Sequence, residues 1–373
     1  MVTPDVLFYF YAGLAAAILH FSVPLAWYLY LRVWYPRTWN LKLDQGYTPK
    51  IAIVIPAYNE AKLIRDKLDN LLQQDYPHDK LHLIVIDSAS TDGTPEAAQS
   101  WIQEHPHINA TLLREPVRRG MVPALNYALK HVPGDTELVI FTDVDSFWTP
   151  DTLRNITKYF TDPTVGAVTA SIQPYEDDLP PERTYRDLYN IVRVAESKIH
   201  STPIHNGALV AFRKQLLDRI GGLPTYTGND DSTPATLIAF SGHRAIQTDD
   251  VTVKEPIQKN RLQRKIRRAQ HLILHFLHTK RYAKKLDIYR KTPFDRIWKI
   301  ESYLHLANPW LLLIAILALT AASLQGHIPS TTTITLGLVL LFHKKYRTWI
   351  ENQLILLTAM IRNLWTKEIA WKK

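Results

Sequence analysis

The sequence of 373 residues contains no cysteine and only three methionines. The lack of cysteine excludes a disulfide-stapled secreted module and any zinc or iron–sulfur site that depends on thiolate ligands. No Gly-x-Gly-x-x-Gly follows the first apolar run, and no Gly-x-x-x-x-Gly-Lys-Ser/Thr occurs in the chain, which argues against a dinucleotide oxidoreductase and a P-loop enzyme. Because 46% of the residues are hydrophobic, a disordered chain is excluded as well.

Positive charge is in excess, with a net charge of +9 at pH 7, which favours either a nucleic acid or an anionic membrane face as partner. The excess is concentrated in residues 254–291, which contain 13 Lys or Arg and two acidic residues, whereas residues 32–253 carry a net charge of −6. Apolar residues interleave with the basic stretch, as is typical of amphipathic helices at a membrane surface. An RNA-binding arm is the alternative, but no RNA-binding motif accompanies the stretch, so we expect no nucleic-acid partner.

Two long stretches contain no Asp, Glu, Lys or Arg. Residues 6–31 are 26 residues long, enough to cross a hydrocarbon core of about 30 Å as a helix. Residues 302–343 are 42 residues long and are divided by a turn at 325–329, which predicts a helical hairpin. The second arm of the hairpin is short, so a re-entrant segment is the alternative there. A buried helix of a soluble protein is the alternative for the first stretch.

The distribution of Lys and Arg near these stretches predicts an orientation. The flanking basic residues are Arg32, Arg37 and Lys42 after the first stretch, Arg296 and Lys299 before the second, and Lys344, Lys345 and Arg347 after it. Residues 1–5 and the turn at 325–329 have no Lys or Arg. We therefore expect a multi-pass protein of the cell membrane, with three spans, an outside N-terminus and a cytoplasmic middle segment.

Between the apolar stretches, short apolar runs alternate with helical patterns. The runs are residues 51–55, 83–86, 138–141 and 165–168. This alternation predicts an α/β domain with a parallel sheet covered on both faces, whose ligands bind at the carboxyl ends of the strands.

Polar residues follow three of these predicted strands, at 56–60, 87–94 and 142–145. If the third strand continued through Asp145, the side chains of Asp143 and Asp145 would point the same way. Two carboxylates at that spacing suit a divalent ion that is bridged to a diphosphate. A solvated turn is the alternative.

These segments, in this order, resemble the family 2 glycosyltransferases over roughly residues 50–270, and the flanking apolar stretches resemble the cellulose-synthase-like membrane branch. The resemblance implies a GT-A (Rossmann-like) nucleotide-sugar domain, an inverting reaction, a nucleotide-sugar donor and a divalent metal, Mn²⁺ or Mg²⁺. It also divides the chain into a transmembrane helix (1–34), a GT-A catalytic domain (35–253), basic interfacial helices (254–300), a transmembrane hairpin (301–343) and an amphipathic tail (344–373).

The resemblance further assigns site residues. The nucleotide-sugar-binding residues it implies are Pro56, Ala57, Tyr58, Asn59, Glu60, Asp87, Arg119 and Asp143, and the metal ligands are Asp143 and Asp145. Counting back eleven residues from Gly242-His243-Arg244 identifies Asp231 as the catalytic base, with Asp230 in place of the family's Glu. The family's Gln-x-x-Arg-Trp motif is degraded to Arg264, Arg267 and Arg268, which suit phosphate better than a glucan chain. Together with Asp230, these arginines are expected to bind the acceptor and its phosphate.

A basic surface beside membrane spans predicts an acceptor that carries a lipid phosphate, such as a dolichyl or polyprenyl phosphate or its sugar-bearing diphosphate. A lipid monophosphate needs no general base, whereas a sugar hydroxyl does, so a base at Asp231 favours a lipid-linked glycan. Resemblance to archaeal membrane members implies mannose from GDP-mannose, in a pathway such as N-glycan synthesis. The alternatives are a processive polysaccharide synthase that uses UDP-glucose and a non-catalytic membrane scaffold.

Overall fold

The computed structural model of the protein describes residues 3–34, 37–174, 180–255 and 261–366. Four of the predicted regions, 1–34, 35–253, 254–300 and 344–373, are therefore described only in part. The residues outside the description are 1–2, 35–36, 175–179, 256–260 and 367–373. The strands are β1 (Ile51–Ala57), β2 (Leu81–Asp87), β3 (Ala110–Arg114), β4 (Leu138–Phe141), β5 (Val165–Pro174), β6 (Val210–Arg213) and β7 (Arg244–Glu255). The helices are α1 (Pro4–Trp34), α2 (Ile64–Leu72), α3 (Thr94–Glu104), α4 (Met121–Leu129), α5 (Thr152–Thr157), α6 (Pro180–Ile199), α7 (Lys214–Arg219), α8 (Ser232–Phe240), α9 (Arg261–Lys285), α10 (Phe294–Ser302), α11 (Asn308–Leu324), α12 (Ile328–Leu340) and α13 (Lys344–Arg362).

The strands form one sheet in the order β3-β2-β1-β4-β6-β5-β7. The four predicted runs are β1, β2, β4 and β5, and all pairs are parallel except those of β6, which is antiparallel to β4 and β5. The prediction of a purely parallel sheet is therefore wrong at β6. A parallel strand needs a crossover back to the amino end of the sheet. After α6 the chain instead re-enters at the carboxyl ends, where Val210 pairs with Phe141 and Thr169.

The hydrophobic core lies on both faces of the sheet, because successive side chains of a strand point to opposite faces. In β1, Ile53 and Ile55 face α2, α3 and α5, whereas Ala52 and Val54 face α4, α7 and α8. A central strand that is buried on both faces has to be apolar throughout, as β1 is. The packing fixes the carboxyl ends of β1, β2 and β4 side by side.

Two apolar helices are long enough to cross a membrane. Among the described residues they are α1 and the continuous helix Phe294–Leu324, each 31 residues long and each with an 18-residue stretch whose mean hydropathy is 1.8. The second contains a π-helical turn, Tyr303–Ala307. They pack against each other at Gly13, where an added Cβ would lie 2.8 Å from Leu319 Cγ. Small residues allow such close approach between membrane helices.

The third predicted span is shorter than the other two. Helix α12 has 13 residues, a length of about 20 Å, against a hydrocarbon core of about 30 Å. A third span, like the membrane orientation, therefore stays a prediction. Helix α13 is amphipathic, as predicted for the tail, and buries Leu356 and Leu357. It is also tied to α1, because Trp349 Nε1 donates to His20 Nε2 at 3.0 Å.

Candidate active site

Two loops meet at the carboxyl ends of β1 and β2. Asn59, at a positive φ of 55°, connects them: its backbone N–H donates to Ser90 Oγ and its Oδ1 accepts from the Thr91 N–H, both at 2.9 Å. The Glu60 N–H donates to Thr94 Oγ1 at 2.8 Å. Residues 56–60 and 87–94, predicted to share one ligand, are therefore held together before any ligand binds. Pro56, Ala57, Tyr58 and Glu60 line the cleft beside these loops.

Asp87 ends β2 and is 3% exposed. Its Oδ2 accepts from the Ser90 N–H at 3.2 Å, but its Oδ1 has no hydrogen-bond partner among the described residues. A buried carboxylate oxygen without a donor is costly. Asp87 lies at the carboxyl end of β2, and its Oδ1 can still accept a hydrogen bond. Both features fit a ligand that brings a hydroxyl or N–H group to Asp87.

The basic pair at 118–119 is divided between two roles. The guanidinium of Arg118 lies over the Tyr58 ring, 3.7 Å from its centroid, and lines the cleft. The guanidinium of Arg119 donates to Glu115 Oε1 at 2.9 Å, and Ser88 Oγ donates to Glu115 Oε2 at 2.7 Å. Arg118 thus lines the cleft, whereas Arg119 is held by Glu115 beside the loop after β2. The contact of Arg119 with the nucleotide sugar stays a prediction.

Asp143 and Asp145 lie in a turn. Strand β4 ends at Phe141, and the Ser146 N–H donates to the Asp143 carbonyl at 3.3 Å. The premise that the strand continues through both residues is therefore wrong, because the chain turns away from the ladder after four paired residues. Both residues nevertheless line the cleft.

A buried lysine supports this turn from beneath. Lys67 of α2 is 0% exposed and donates to Thr142 Oγ1 at 2.9 Å and to the Ser146 carbonyl at 2.5 Å. Burial lowers the pKa of Lys67 to about 7, against the opposing charges of Asp143 and Asp145. Sequence reasoning missed Lys67. Its signal is a lysine on the apolar stripe of an amphipathic helix, between Ile64 and Leu71.

The predicted base begins helix α8. Asp231 caps the helix and accepts from both the N–H and the Oγ of Ser232, the latter at 2.9 Å. Burial raises the pKa of Asp231, while the hydrogen bonds from Ser232 and the charges of Arg268 and Arg193 oppose that rise. Burial, and then the charges of Asp231 and Asp143, raise the pKa of Asp230 well above its usual value.

The two acidic motifs converge across Gly207, which directly precedes Ala208 and Leu209 on the way into β6. The carboxylates of Asp143 and Asp230 both have an oxygen within 3.9 Å of the point that a Cβ at Gly207 would occupy. The structure thus brings the strand-end acid beside the predicted catalytic segment, although 87 positions separate them in the sequence. Glycine at 207 leaves the space between the carboxylates open.

The three arginines of the degraded motif lie on α9, but they have different surroundings. Arg264 lines the cleft, and Arg268 is close enough to Asp231 to oppose the rise of its pKa. Arg267 does not line the cleft. The acceptor role predicted for Asp230, Arg264, Arg267 and Arg268 stays a prediction.

The donor set of the cleft fits a divalent ion. Asp143 and Asp145 offer hard carboxylate oxygens, and within the described part of the chain no group of three His, Cys, Asp or Glu forms a complete protein cage. An ion of the Mg²⁺ or Mn²⁺ type is commonly held by one or two carboxylates and completed by substrate phosphates and water. With Arg118 and Arg264 also in its lining, the cleft can bind a phosphorylated substrate.

Comparisons with known proteins agree with this chemistry. The family model described as Glycosyl transferase family 2 matches residues 52–221. The chain is similar to a solved structure, mannosyltransferase PcManGT from Pyrobaculum calidifontis in complex with GDP-Man and Mn²⁺. The sequence identity is 44% and the TM-score 0.86, covering 96% of this chain and 99% of that chain.

Other relatives match a smaller part of this chain. A beta-monoglucosyldiacylglycerol synthase from Synechocystis sp. is 27% identical over 190 residues, which cover 49% of this chain and 39% of the relative. A hyaluronan synthase from Streptococcus pyogenes is 26% identical over 198 residues, covering 48% of this chain and 46% of the relative. The chain therefore spans less than half the length of these relatives.

Proposed function

Since the chain belongs to the family 2 glycosyltransferases and has their GT-A fold, we propose that it transfers mannose from GDP-mannose to a lipid-linked acceptor, with inversion at the anomeric carbon. The observation that carries the choice of sugar is the 44% identity, over 96% of the chain, to a mannosyltransferase that was solved with GDP-Man. A match over 96% of the chain extends beyond residues 52–221 into the apolar helices on either side.

The nucleotide of the donor is proposed to bind between the loops after β1 and β2. Asp87 Oδ1, buried and without a partner among the described residues, accepts a hydrogen bond from the base or the ribose. Arg118, stacked on Tyr58 at the cleft wall, faces the diphosphate side. The hydrogen bonds between the two loops reduce the ordering cost of donor binding.

The metal is proposed to be held by Asp143 and Asp145, and Mn²⁺ or Mg²⁺ fits these ligands. When bound, such an ion supplies positive charge that stabilises the departing diphosphate. Lys67 holds the turn that carries both carboxylates, through Thr142 and Ser146. The same turn fixes Asp143 beside Asp230 and therefore places the donor end of the cleft next to the acceptor end.

Asp231 is proposed to be the general base. In a single displacement, the acceptor oxygen attacks the anomeric carbon while the bond to the diphosphate breaks, and the hydroxyl proton passes to a carboxylate within about 2.6–3.2 Å. The hydrogen bonds from Ser232 orient the Asp231 carboxylate at the start of α8. A lipid monophosphate carries no such proton, so the base favours the hydroxyl of a sugar linked to a dolichyl or polyprenyl diphosphate, as N-glycan synthesis requires.

The acceptor lipid is proposed to lie in the bilayer that α1 and the helix Phe294–Leu324 cross, with the GT-A domain on the cytoplasmic side. Length and apolar composition support the two spans. Lys and Arg after α1 and around the hairpin support the orientation. The regions 1–34, 35–253, 254–300, 301–343 and 344–373 are proposed as the functional divisions of the chain.

The test is mannose transfer by membranes that contain the full chain. Labelled GDP-mannose and labelled UDP-glucose are each incubated with Mn²⁺ and with dolichyl phosphate or dolichyl diphosphate-linked di-N-acetylglucosamine. We expect label to enter the lipid fraction from GDP-mannose, with the sugar-bearing acceptor preferred. Asp145→Asn and Asp231→Asn should each lower transfer at least about 100-fold, the range for removing a proton-transfer or charge-stabilising group.

The matched control is Asp135→Asn, the same chemical change at an exposed residue that pairs with Lys50. It should transfer mannose at the wild-type rate. Transfer from no nucleotide sugar would refute the enzymatic proposal. Wild-type transfer by Asp231→Asn would remove that residue's role, and transfer from UDP-glucose alone, into long polymer, would favour the processive synthase.

A further inference from the structure

A second cavity of about 170 Å³ lies where α1, α6, α13 and the π-helical turn before α11 meet. Its apolar wall includes Trp27 and Tyr28 from the last two turns of α1, Leu304 from the π-helical turn and Trp349 from α13. These residues lie at the ends of the spans that adjoin the GT-A domain. The cavity therefore lies between these helices and α6 of the GT-A domain.

Three cations line the same cavity. Arg193 comes from α6, and Lys344 and Lys345 are the first two residues of α13. The Nε of Arg193 is buried and has no hydrogen-bond partner among the described residues. A guanidinium donor that has lost its water without gaining a partner is costly, so its position indicates an anionic ligand.

Two carboxyl groups, Glu196 and Glu301, also line the cavity and must be counted against the cations. Glu196 accepts from Thr202 Oγ1 at 2.8 Å and from Trp27 Nε1 at 3.4 Å. Burial, and then the neighbouring Glu301, raise the pKa of Glu196 well above its usual value. The three cations therefore outnumber the two carboxyl groups, and the raised pKa of Glu196 adds to the excess of positive charge.

The cavity is connected to the proposed base by a short chain of contacts. Ile204 forms part of the cavity wall, and the N–H of the next residue, His205, donates to Ser232 Oγ at 2.9 Å. Ser232 Oγ in turn lies 2.9 Å from Asp231 Oδ1. The charge of Arg193 also acts on Asp231, where it opposes the rise in pKa that burial causes. The cavity therefore adjoins the acceptor side of the cleft.

From this arrangement we infer that the cavity binds the phosphate headgroup and the first isoprenoid units of the acceptor lipid, with Arg193, Lys344 and Lys345 on the phosphate and Trp27, Leu304 and Trp349 around the chain. The inference rests on the proposed function and locates the binding site of the lipid part of its acceptor. A bulk phospholipid would not need a binding site beside the proposed catalytic base. The arginines of α9 are left to the donor and the sugar, which differs from the placement predicted from the sequence.

The test measures lipid retention by the purified full chain. The protein in detergent is incubated with dolichyl phosphate, dolichol, dioleoyl phosphatidic acid or inorganic phosphate, and the bound species are counted by native mass spectrometry. We expect retention of dolichyl phosphate but not of dolichol, because the phosphate supplies the contacts. Lys344→Ala combined with Lys345→Ala should weaken retention about tenfold or more, the effect of removing charge-assisted bonds to phosphate.

The matched control is Lys284→Ala combined with Lys285→Ala, which removes the same charge from the exposed end of α9. It should retain dolichyl phosphate like the wild type. The assignment would be overturned if both double variants retained as much dolichyl phosphate as each other, whether at the wild-type level or below it. Retention of dolichol by the wild type would also overturn it. Equal competition by phosphatidic acid would overturn it too, since the cavity would then be a general phospholipid site.

The proposed function and this inference can fail separately. If the wild type retains dolichyl phosphate through the two lysines but turns over no nucleotide sugar, the proposed function fails and the lipid site stands. If the wild type transfers mannose to lipid while the lysine variant retains dolichyl phosphate unchanged, the lipid site fails and the proposed function stands.

Discussion

Replacing Lys67 by methionine isolates the support of the turn that carries Asp143 and Asp145. Methionine fills a similar volume but cannot donate to the Ser146 carbonyl or to Thr142 Oγ1. Thr142 keeps its own bond to the Ala208 carbonyl at 2.9 Å, so the Ser146 carbonyl is the acceptor that loses its partner.

The magnitude follows from these contacts. One buried acceptor without a donor costs about 1–3 kcal/mol. The pKa of Lys67, lowered to about 7 by burial, indicates that burying its ammonium is itself unfavourable, so the net loss lies at the lower end, about 1 kcal/mol. Activity should fall further, by about 10- to 100-fold, the range for residues that orient metal ligands.

The assay is release of GDP from GDP-mannose across a Mn²⁺ titration, together with the thermal midpoint of unfolding in detergent. Lys67→Met should raise the Mn²⁺ concentration needed for half-maximal activity while it shifts the midpoint by a few degrees. Lys130→Met, at the exposed end of α4, is the matched control. Activity and Mn²⁺ dependence of Lys67→Met within twofold of the control would refute the reasoning.

Two further predictions concern stability. Gly222→Ala should lower the free energy of unfolding by about 2–3 kcal/mol, because φ is +81° and the new Cβ would lie 2.8 Å from Asn126 Oδ1; Gly134→Ala, which meets open space, should not. Burial lowers the pKa of His205 to about 3, so the unfolded chain takes up the proton first as the pH falls below 6.5. The stability due to neutral His205 is then present above pH 6.5 and lost towards pH 3, by about 2 kcal/mol between pH 6.5 and 4.5. His205→Phe should flatten the midpoint–pH profile by that amount, and an unchanged profile would contradict the assignment.

The sequence was informative wherever an element is long and apolar. Residues 51–55 and 138–141 predicted strands because a central strand must be buried on both faces. Strand β3 is missed because its side chains are only partly buried or exposed, so it has no continuous apolar run. The antiparallel entry of β6 is decided by where the chain returns to the sheet, which no local pattern encodes.

Only those features of the site that depend on residues close together in the sequence could be predicted. Asp143 and Asp145 are identified by type and spacing and Asp231 by resemblance, but the proximity of Asp143 to Asp230 across Gly207 depends on the packing of α8 against the sheet. Arg193 carries no motif, and its relation to both the cavity and Asp231 exists only in three dimensions. The stacking of Arg118 on Tyr58 likewise joins residues that are 60 positions apart in the sequence.

The anomeric configuration of the product tests the account most directly. The mannosyl group of GDP-mannose is α-linked, and a single displacement with Asp231 as base inverts that centre. Mannose transferred by the purified chain to the sugar-bearing dolichyl lipid should therefore be β-linked when the isolated product is examined by NMR. An α-linked product would contradict the single displacement and the role assigned to Asp231.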